Sequence, residues 1–152
     1  MRVVIVGCGR FGAKVAEMLD RRGHAVTVIA SDPEALTRLP RDFRGKAAVG
    51  NAIDVDVLRS HGVEGADAFI ALTDGDNTNV VACQIAKYIL HVPFVISQIK
   101  DPIREDTYQM LGIQTISPTR LGADRIHDVI TATFGSPEAS VARSGDAGGR
   151  AQ

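Results

Sequence analysis

The residues most able to do chemistry lie near the amino terminus, where Gly7-Cys8-Gly9-Arg10-Phe11-Gly12 has the spacing G-x-G-x-x-G. The chemistry is anion binding by the backbone. Gly7 allows a tight turn, Gly9 lets a pyrophosphate approach backbone N–H groups, and Gly12 allows a helix to pack closely on a strand. A helix that begins here offers free N–H donors and partial positive charge to a phosphate. The loop follows an apolar run at residues 3–6 and opens an amphipathic stretch at 11–22. In that setting it reads as a nucleotide or dinucleotide site, with a purely structural turn as the alternative.

Such a loop usually has a companion acid about 20 residues on, which accepts hydrogen bonds from an adenosine ribose. The second apolar run, residues 25–29, leads into Ala30-Ser31-Asp32. If the strand stops at Ile29, Ala30 takes the acid's place and has no acceptor to give. Asp32 has the chemistry but precedes Pro33, so it reads first as a helix cap and second as a ribose ligand. Ser31 can bond a ribose hydroxyl or a 2′-phosphate, although no nearby arginine supports the phosphate. Arg38, Arg41 and Arg44 read as a solvated face.

Other candidates are weaker. Asp74-Gly75-Asp76-Asn77-Thr78-Asn79 starts like a calcium loop, but Asn79 stands at the sixth position and Ile85 at the twelfth, which excludes an EF-hand. The stretch reads instead as a loop and helix cap. Cys8, at a helix N-terminus, is either a redox-sensitive thiol or a small residue lining the loop. Cys83 reads as core, and the two cysteines form neither zinc spacing nor a disulfide framework. His24, His61, His91 and His127 are scattered, without metal-ligand spacing. No Tyr-x-x-x-Lys pair suggests a dehydrogenase.

These loops must be positioned by elements, and the pattern for those is regular. Short apolar runs at 3–6, 25–29, 47–49, 68–72, 94–99 and 115–117 alternate with helical stretches at 11–22, after Asp32-Pro33, and at 55–61, 77–90, 102–111 and 118–134. Nearly continuous apolarity predicts parallel strands covered on both faces. In the first helix, Phe11, Val15, Met18 and Leu19 form the expected buried stripe. The fold class is α/β, a Rossmann-like doubly wound parallel six-stranded sheet with right-handed crossovers, in a domain spanning 1–134. Residues 135–152 are glycine- and alanine-rich and read as a disordered tail or a linker stub.

Composition agrees. The chain has 152 residues, 45% hydrophobic and 23% charged, with net charge -1, which suits one folded domain and excludes a disordered chain. A pI near 6.4 lacks the footprint of a nucleic-acid binder. No apolar run approaches the roughly 18 residues of a membrane span, and the amino terminus is not a signal peptide. A cytosolic, soluble protein is expected.

Further motifs narrow the family. Gly50-Asn51-Ala52 follows the third strand, and Ala66-Asp67-Ala68-Phe69-Ile70-Ala71-Leu72-Thr73-Asp74 runs through the fourth. Val95-Ile96-Ser97-Gln98-Ile99-Lys100-Asp101-Pro102 covers the fifth, and Ile116-Ser117-Pro118-Thr119-Arg120-Leu121 opens the last helix. In this order they closely resemble the N-terminal nucleotide-binding domain (TrkA-N) of the Trk/Ktr potassium-uptake regulators, in the RCK (regulator of potassium conductance) family. The resemblance covers about residues 1–134.

The resemblance implies a cytoplasmic regulatory subunit, held at the inner face of the membrane by a separate potassium transporter or channel. It implies NAD(H) as ligand, with ADP or ATP as the alternative, and a homodimer or higher ring formed through the last strand and crossover helix. It places Gly7, Gly9, Arg10, Phe11 and Gly12 at the phosphates and Thr73 and Asp74 at the second half of the ligand; Cys8, Ala30, Ser31, Asp32, Asn51, Ala52 and Gln98 complete the expected cofactor-binding set. Three positions depart from the family pattern. Ala30 stands for an Asp, Asn51 for an Asp, and Gln98 for an Arg that reaches phosphate, a loss of a cation and its bidentate fork. The family's second domain is not within this chain, so a one-domain regulator or a fragment is expected.

A regulatory subunit that works by population shift is therefore favoured. A dimerisation module that has lost its ligand, or a small NAD(P)-dependent oxidoreductase, is the alternative. The oxidoreductase suffers because the nucleotide fold uses nearly all the chain and leaves no substrate region.

Overall fold

Alternate residues of each apolar run face opposite ways, and this divides the interior into two layers. In a computed structural model, which describes residues 1–136, six strands form one sheet in the order β3-β2-β1-β4-β5-β6. They are β1 (Arg2–Val6), β2 (Ala25–Ala30), β3 (Lys46–Val49), β4 (Ala68–Ala71), β5 (Phe94–Gln98) and β6 (Gln114–Ile116). All five pairings are parallel. The expected fold class is thus observed, and each strand lies within two residues of its predicted bounds.

Between the strands lie α1 (Arg10–Arg21), α2 (Val55–Ser60), α3 (Asp76–Gln84) and α4 (Glu105–Gln109). The predicted helix after Asp32-Pro33 is a 3-10 segment, Pro33–Arg38, and α3 continues into one wide π turn, Ile85–Ile89. On one side of β1, Val4 and Val6 join Ile29, Leu58, Phe69, Val80 and Cys83 in a core beneath α2 and α3. On the other side, Val3 and Ile5 join Ala13, Ala16, Val26 and Val28 beneath α1.

The structure corrects two readings of the first layer. Phe11 and Met18 are exposed, and α1 instead buries Gly12, Ala13, Ala16 and Asp20. Small residues let the helix lie closer to the sheet than a Phe–Met stripe would permit, so the large side chains are displaced to the rim. Arg44 is also more than a solvated charge. Its backbone N–H donates to Asp20 Oδ2 at 3.1 Å, and its guanidinium donates to the Asp20 carbonyl at 2.6 Å, which satisfies an otherwise costly buried carboxylate.

Two compact units divide the chain, Met1–Ser117 and a second that begins at Pro118. The whole sheet belongs to the first. The second contains α5 (Pro118–Phe134), on which Leu121, Ile126, Val129, Ile130 and Phe134 are exposed. Most of the predicted tail, from residue 137 onward, lies outside the described residues.

Buried Asn79 ties the carboxyl end of the sheet together. Its Oδ1 accepts from the Thr73 N–H at 2.8 Å and from Thr73 Oγ1 at 2.6 Å. Its Nδ2 donates to the carbonyls of Thr73 and Gln98, each at 3.1 Å. The loops after β4 and β5 and the first turn of α3 are thereby held by one amide whose four bonding positions are all used. Asn79→Ala strands three backbone groups, the Thr73 N–H and the Thr73 and Gln98 carbonyls, and should destabilise the fold by about 2–4 kcal/mol. An unchanged urea midpoint would contradict this account.

Cys83 gives a pH signature. Burial pushes its thiol up to about 12, and hydrogen bonds only partly offset this. An unfolded thiol ionises near pH ~8.5. The native state therefore binds more protons between those values, so the contribution is fully present below pH ~8.5 and falls as pH rises toward about 12. In alkaline denaturation series, Cys83→Ala should lose stability less steeply with pH than the parent. Equal slopes would exclude the linkage.

Candidate functional site

At the end of β1 the chain must turn into α1 beside β4, and there is no room for side chains. Gly7 has φ 97°, and a Cβ built there would lie 2.4 Å from the Leu72 carbonyl oxygen. A Cβ on Gly12 would meet the Gly7 carbonyl oxygen at 2.3 Å. Gly9 differs, because its Cβ would meet nothing within 4 Å. It has extended backbone as the N-cap of α1, with φ -72° and ψ -173°, and its carbonyl accepts from the Ala13 N–H at 2.9 Å. Two glycines are thus required by packing, and the third keeps backbone open to whatever approaches.

What approaches would enter a cleft of about 550 Å³. It lies outside the carboxyl ends of β1, β2, β3 and β4, where strand order reverses between β1 and β4, the usual ligand position in open parallel sheets. Of the sequence-predicted residues, Gly7, Cys8, Gly9, Arg10, Ala30, Ser31, Asp32, Asn51, Ala52, Thr73 and Asp74 line it together. Gly50, Gly75 and Thr78 complete the rim. Distant chain segments therefore converge on one face, with the free N–H groups of α1 opening into it.

Individual roles are constrained. Asp32 Oδ1 accepts from the Glu34 N–H at 2.9 Å, so Asp32 is the cap of the 3-10 segment. Asn51 Oδ1 accepts from the Ile53 N–H at 3.0 Å, which holds the loop after β3. Asp74 pairs with Lys100 at 3.3 Å, linking this rim to the loop after β5.

Three predicted residues do not line the cleft. Phe11 is exposed on α1, Gly12 faces Gly7 within the turn, and Gln98 is only 7% exposed at the end of β5. Gln98 is shorter than the Arg it replaces and carries no charge to draw it toward phosphate. Its carbonyl serves Asn79 instead. The thiol of Cys8 is also not activated. Burial raises its pKa, and Arg38 only partly reverses this, so the N-terminal position does not yield a reactive thiolate.

Arg38 is the charged lining residue that sequence reading missed. It lies on the cleft wall, and its Nη1 donates to the Cys8 carbonyl at 3.4 Å. The 3-10 segment places it there, because a tighter helix turns the chain back toward the glycine loop. The signal was available in the Asp-Pro start six residues earlier, had the segment's tight winding been anticipated.

A second cavity, of about 410 Å³, opens at the amino ends of β1, β2 and β3, with Arg2, His24, Arg44 and His61 in its wall. There α1 and α2 present their carboxyl ends, whose partial negative charge disfavours a phosphate.

Comparison with known proteins agrees with this geometry. The family model for the TrkA-N domain matches residues 3–118. The Trk system potassium uptake protein TrkA of Streptomyces coelicolor is 42% identical over 126 residues, which cover 83% of this chain and 56% of that protein. The chain spans about half the length of the curated relatives it matches. Among solved structures, the AMP-bound Kef CTD of Shewanella denitrificans superposes with TM-score 0.74 at 21% identity, covering 96% of this chain and 89% of that one. The GsuK channel bound to NAD gives TM-score 0.67 at 23% identity, covering 79% and 22% respectively. At those identities the structures establish a shared fold. The family match, spread over most of the chain and including the glycine loop and the β4 end, shows that this chain belongs to the TrkA-N domain family.

Proposed function

We propose that this chain is the nucleotide-sensing part of a regulatory subunit for potassium uptake, acting from the cytoplasmic face on a separate membrane transporter or channel. The observation that carries the proposal is the cleft. Unfilled backbone donors of α1, the open Gly9 backbone and the side chains of Ser31, Asn51 and Thr73 meet at the topological switch point. NAD(H) fits this arrangement, and ADP or ATP would use the same phosphate loop. The similarity to a Trk potassium uptake protein and to an NAD-bound channel supports the same class.

The domain acts by binding and not by turnover. A ligand here touches loops from both halves of the sheet, and its differential affinity for two arrangements of those loops shifts their populations. A homodimer, and a ring built from dimers, would transmit the shift to the membrane partner. The exposed stripe of Ile126, Ile130 and Phe134 on α5, at i, i+4 and i+8, supplies apolar surface for a symmetric contact.

Gly9→Ala tests the ligand site. The new methyl meets no protein atom within 4 Å, so melting should be unchanged while calorimetric affinity for NAD, NADH, ADP and ATP falls at least about ten-fold. Binding as tight as the parent's would remove the ligand from this loop. A parent that binds none of the four would favour a dimerisation module without a ligand.

Assembly is tested separately. Replacing Ile130 and Phe134 together with Asp should give a folded monomer by light scattering, because charges at a seam block association. A monomeric parent at tens of micromolar would exclude the dimer.

A further inference from the structure

The ribose end of the cleft departs from the arrangement that selects NAD. An unphosphorylated ribose is normally held by a carboxylate at the end of the second strand, which also repels a 2′-phosphate. Here β2 ends in Ala30, which is 5% exposed and has neither charge nor acceptor in its side chain. The nearest acid along the chain, Asp32, is engaged as a helix cap through Oδ1. The discriminating carboxylate is missing from its usual place.

A cation also lines the cleft. Arg38, exposed at the end of the 3-10 segment, lines the cleft with Ala30, Ser31 and Ala35. Its recorded contact is one long hydrogen bond from Nη1 to the Cys8 carbonyl, and among the described residues it forms no ion pair. The guanidinium has five donors, so most remain for a ligand. Its hydrogen bond to the Cys8 carbonyl places it beside the glycine loop, and Ser31 adds a hydroxyl to the same cleft lining.

We propose that this end of the cleft is a phosphate subsite, formed by Arg38 and Ser31 beside Ala30, that selects a 2′-phosphorylated adenine dinucleotide, NADP(H), over NAD(H). The assignment rests on the nucleotide-binding role proposed for the cleft and specifies its ligand. An arginine near the end of the second strand accommodates a 2′-phosphate through paired N–H···O bonds. The Asp32 carboxylate also lines the cleft and opposes an anion, so the selectivity is the excess of the Arg38 and Ser31 contacts over that repulsion.

The test is calorimetric titration of the whole chain with NADP⁺, NAD⁺, adenosine 2′,5′-bisphosphate and 5′-AMP. NADP⁺ should bind about ten-fold tighter than NAD⁺, and the bisphosphate tighter than AMP by a similar factor. Arg38→Ala should erase both preferences by weakening only the 2′-phosphorylated ligands. Ala30→Asp should reverse the preference toward NAD⁺, and circular dichroism melts would establish that each variant is folded. Arg38 is exposed, so its replacement leaves the core intact. NAD⁺ binding as tightly as NADP⁺ would overturn the subsite while leaving the nucleotide role in place. Equal loss of all four ligands in Arg38→Ala would move Arg38 to the pyrophosphate and also overturn it. Failure of every ligand to bind the parent would overturn both the role and the subsite.

Discussion

The structure depends on a close approach of backbones at the end of β1. Gly7 lies against the Leu72 carbonyl, and Gly12 lies against the Gly7 carbonyl, at distances that no side chain tolerates. Two consequences follow from this one constraint. The amino end of α1 is drawn down to the point where β1 and β4 part, so its free N–H groups open onto the cleft. The helix is also drawn onto the sheet, which is why it buries alanines and exposes Phe11 and Met18. The same geometry that opens the helix end onto the cleft thus decides which residues form the core of that layer.

Buried polar groups complete what the glycines begin. Asn79 fixes the loops after β4 and β5, and Asp20 with Arg44 anchors the segment that leads into β3. Each is fully or nearly fully withdrawn from water, and each is satisfied by backbone as well as side-chain groups. Such networks specify one arrangement more strictly than an apolar contact of equal area would, because a shifted register leaves a donor or carbonyl unpaired. The rim of the cleft is rigid at Thr73 for this reason. Asp74, one residue further, is exposed and pairs with Lys100 of the loop after β5.

The fold was legible because its signals are local and repeated. Apolar runs of strand length, separated by capped helices, leave few alternatives to a parallel sheet, and the glycine loop marks which end of that sheet carries the cleft. Most of the cleft wall was legible for the same reason, since loops after successive strands must gather at one edge. What was not legible depends on through-space partners. Asp20 looks like any surface acid on an amphipathic helix until Arg44 is seen beside it. Arg38 looks like one of three solvated arginines until the 3-10 segment places it on the cleft lining. Gln98 carries a family position but not the reach or charge that would bring it into the cleft, and only the structure reveals that its backbone serves Asn79.

These last differences together shift where positive charge lies around a bound ligand. In the pattern that the sequence resembles, an acid at the end of β2 and a cation at the end of β5 bracket the nucleotide. Here Ala30 removes the acid, Gln98 removes the cation, and Arg38 supplies a cation on the β2 side. Positive charge in the cleft lining is carried by Arg10 and Arg38. A short exposed guanidinium contact is worth less than a buried bidentate pair, and solvent screens it. It has a steric advantage, though, since Ala30 leaves room that an aspartate would fill. Charge and volume therefore change in the same direction at that corner of the cleft, and an additional phosphate is the group that would use both.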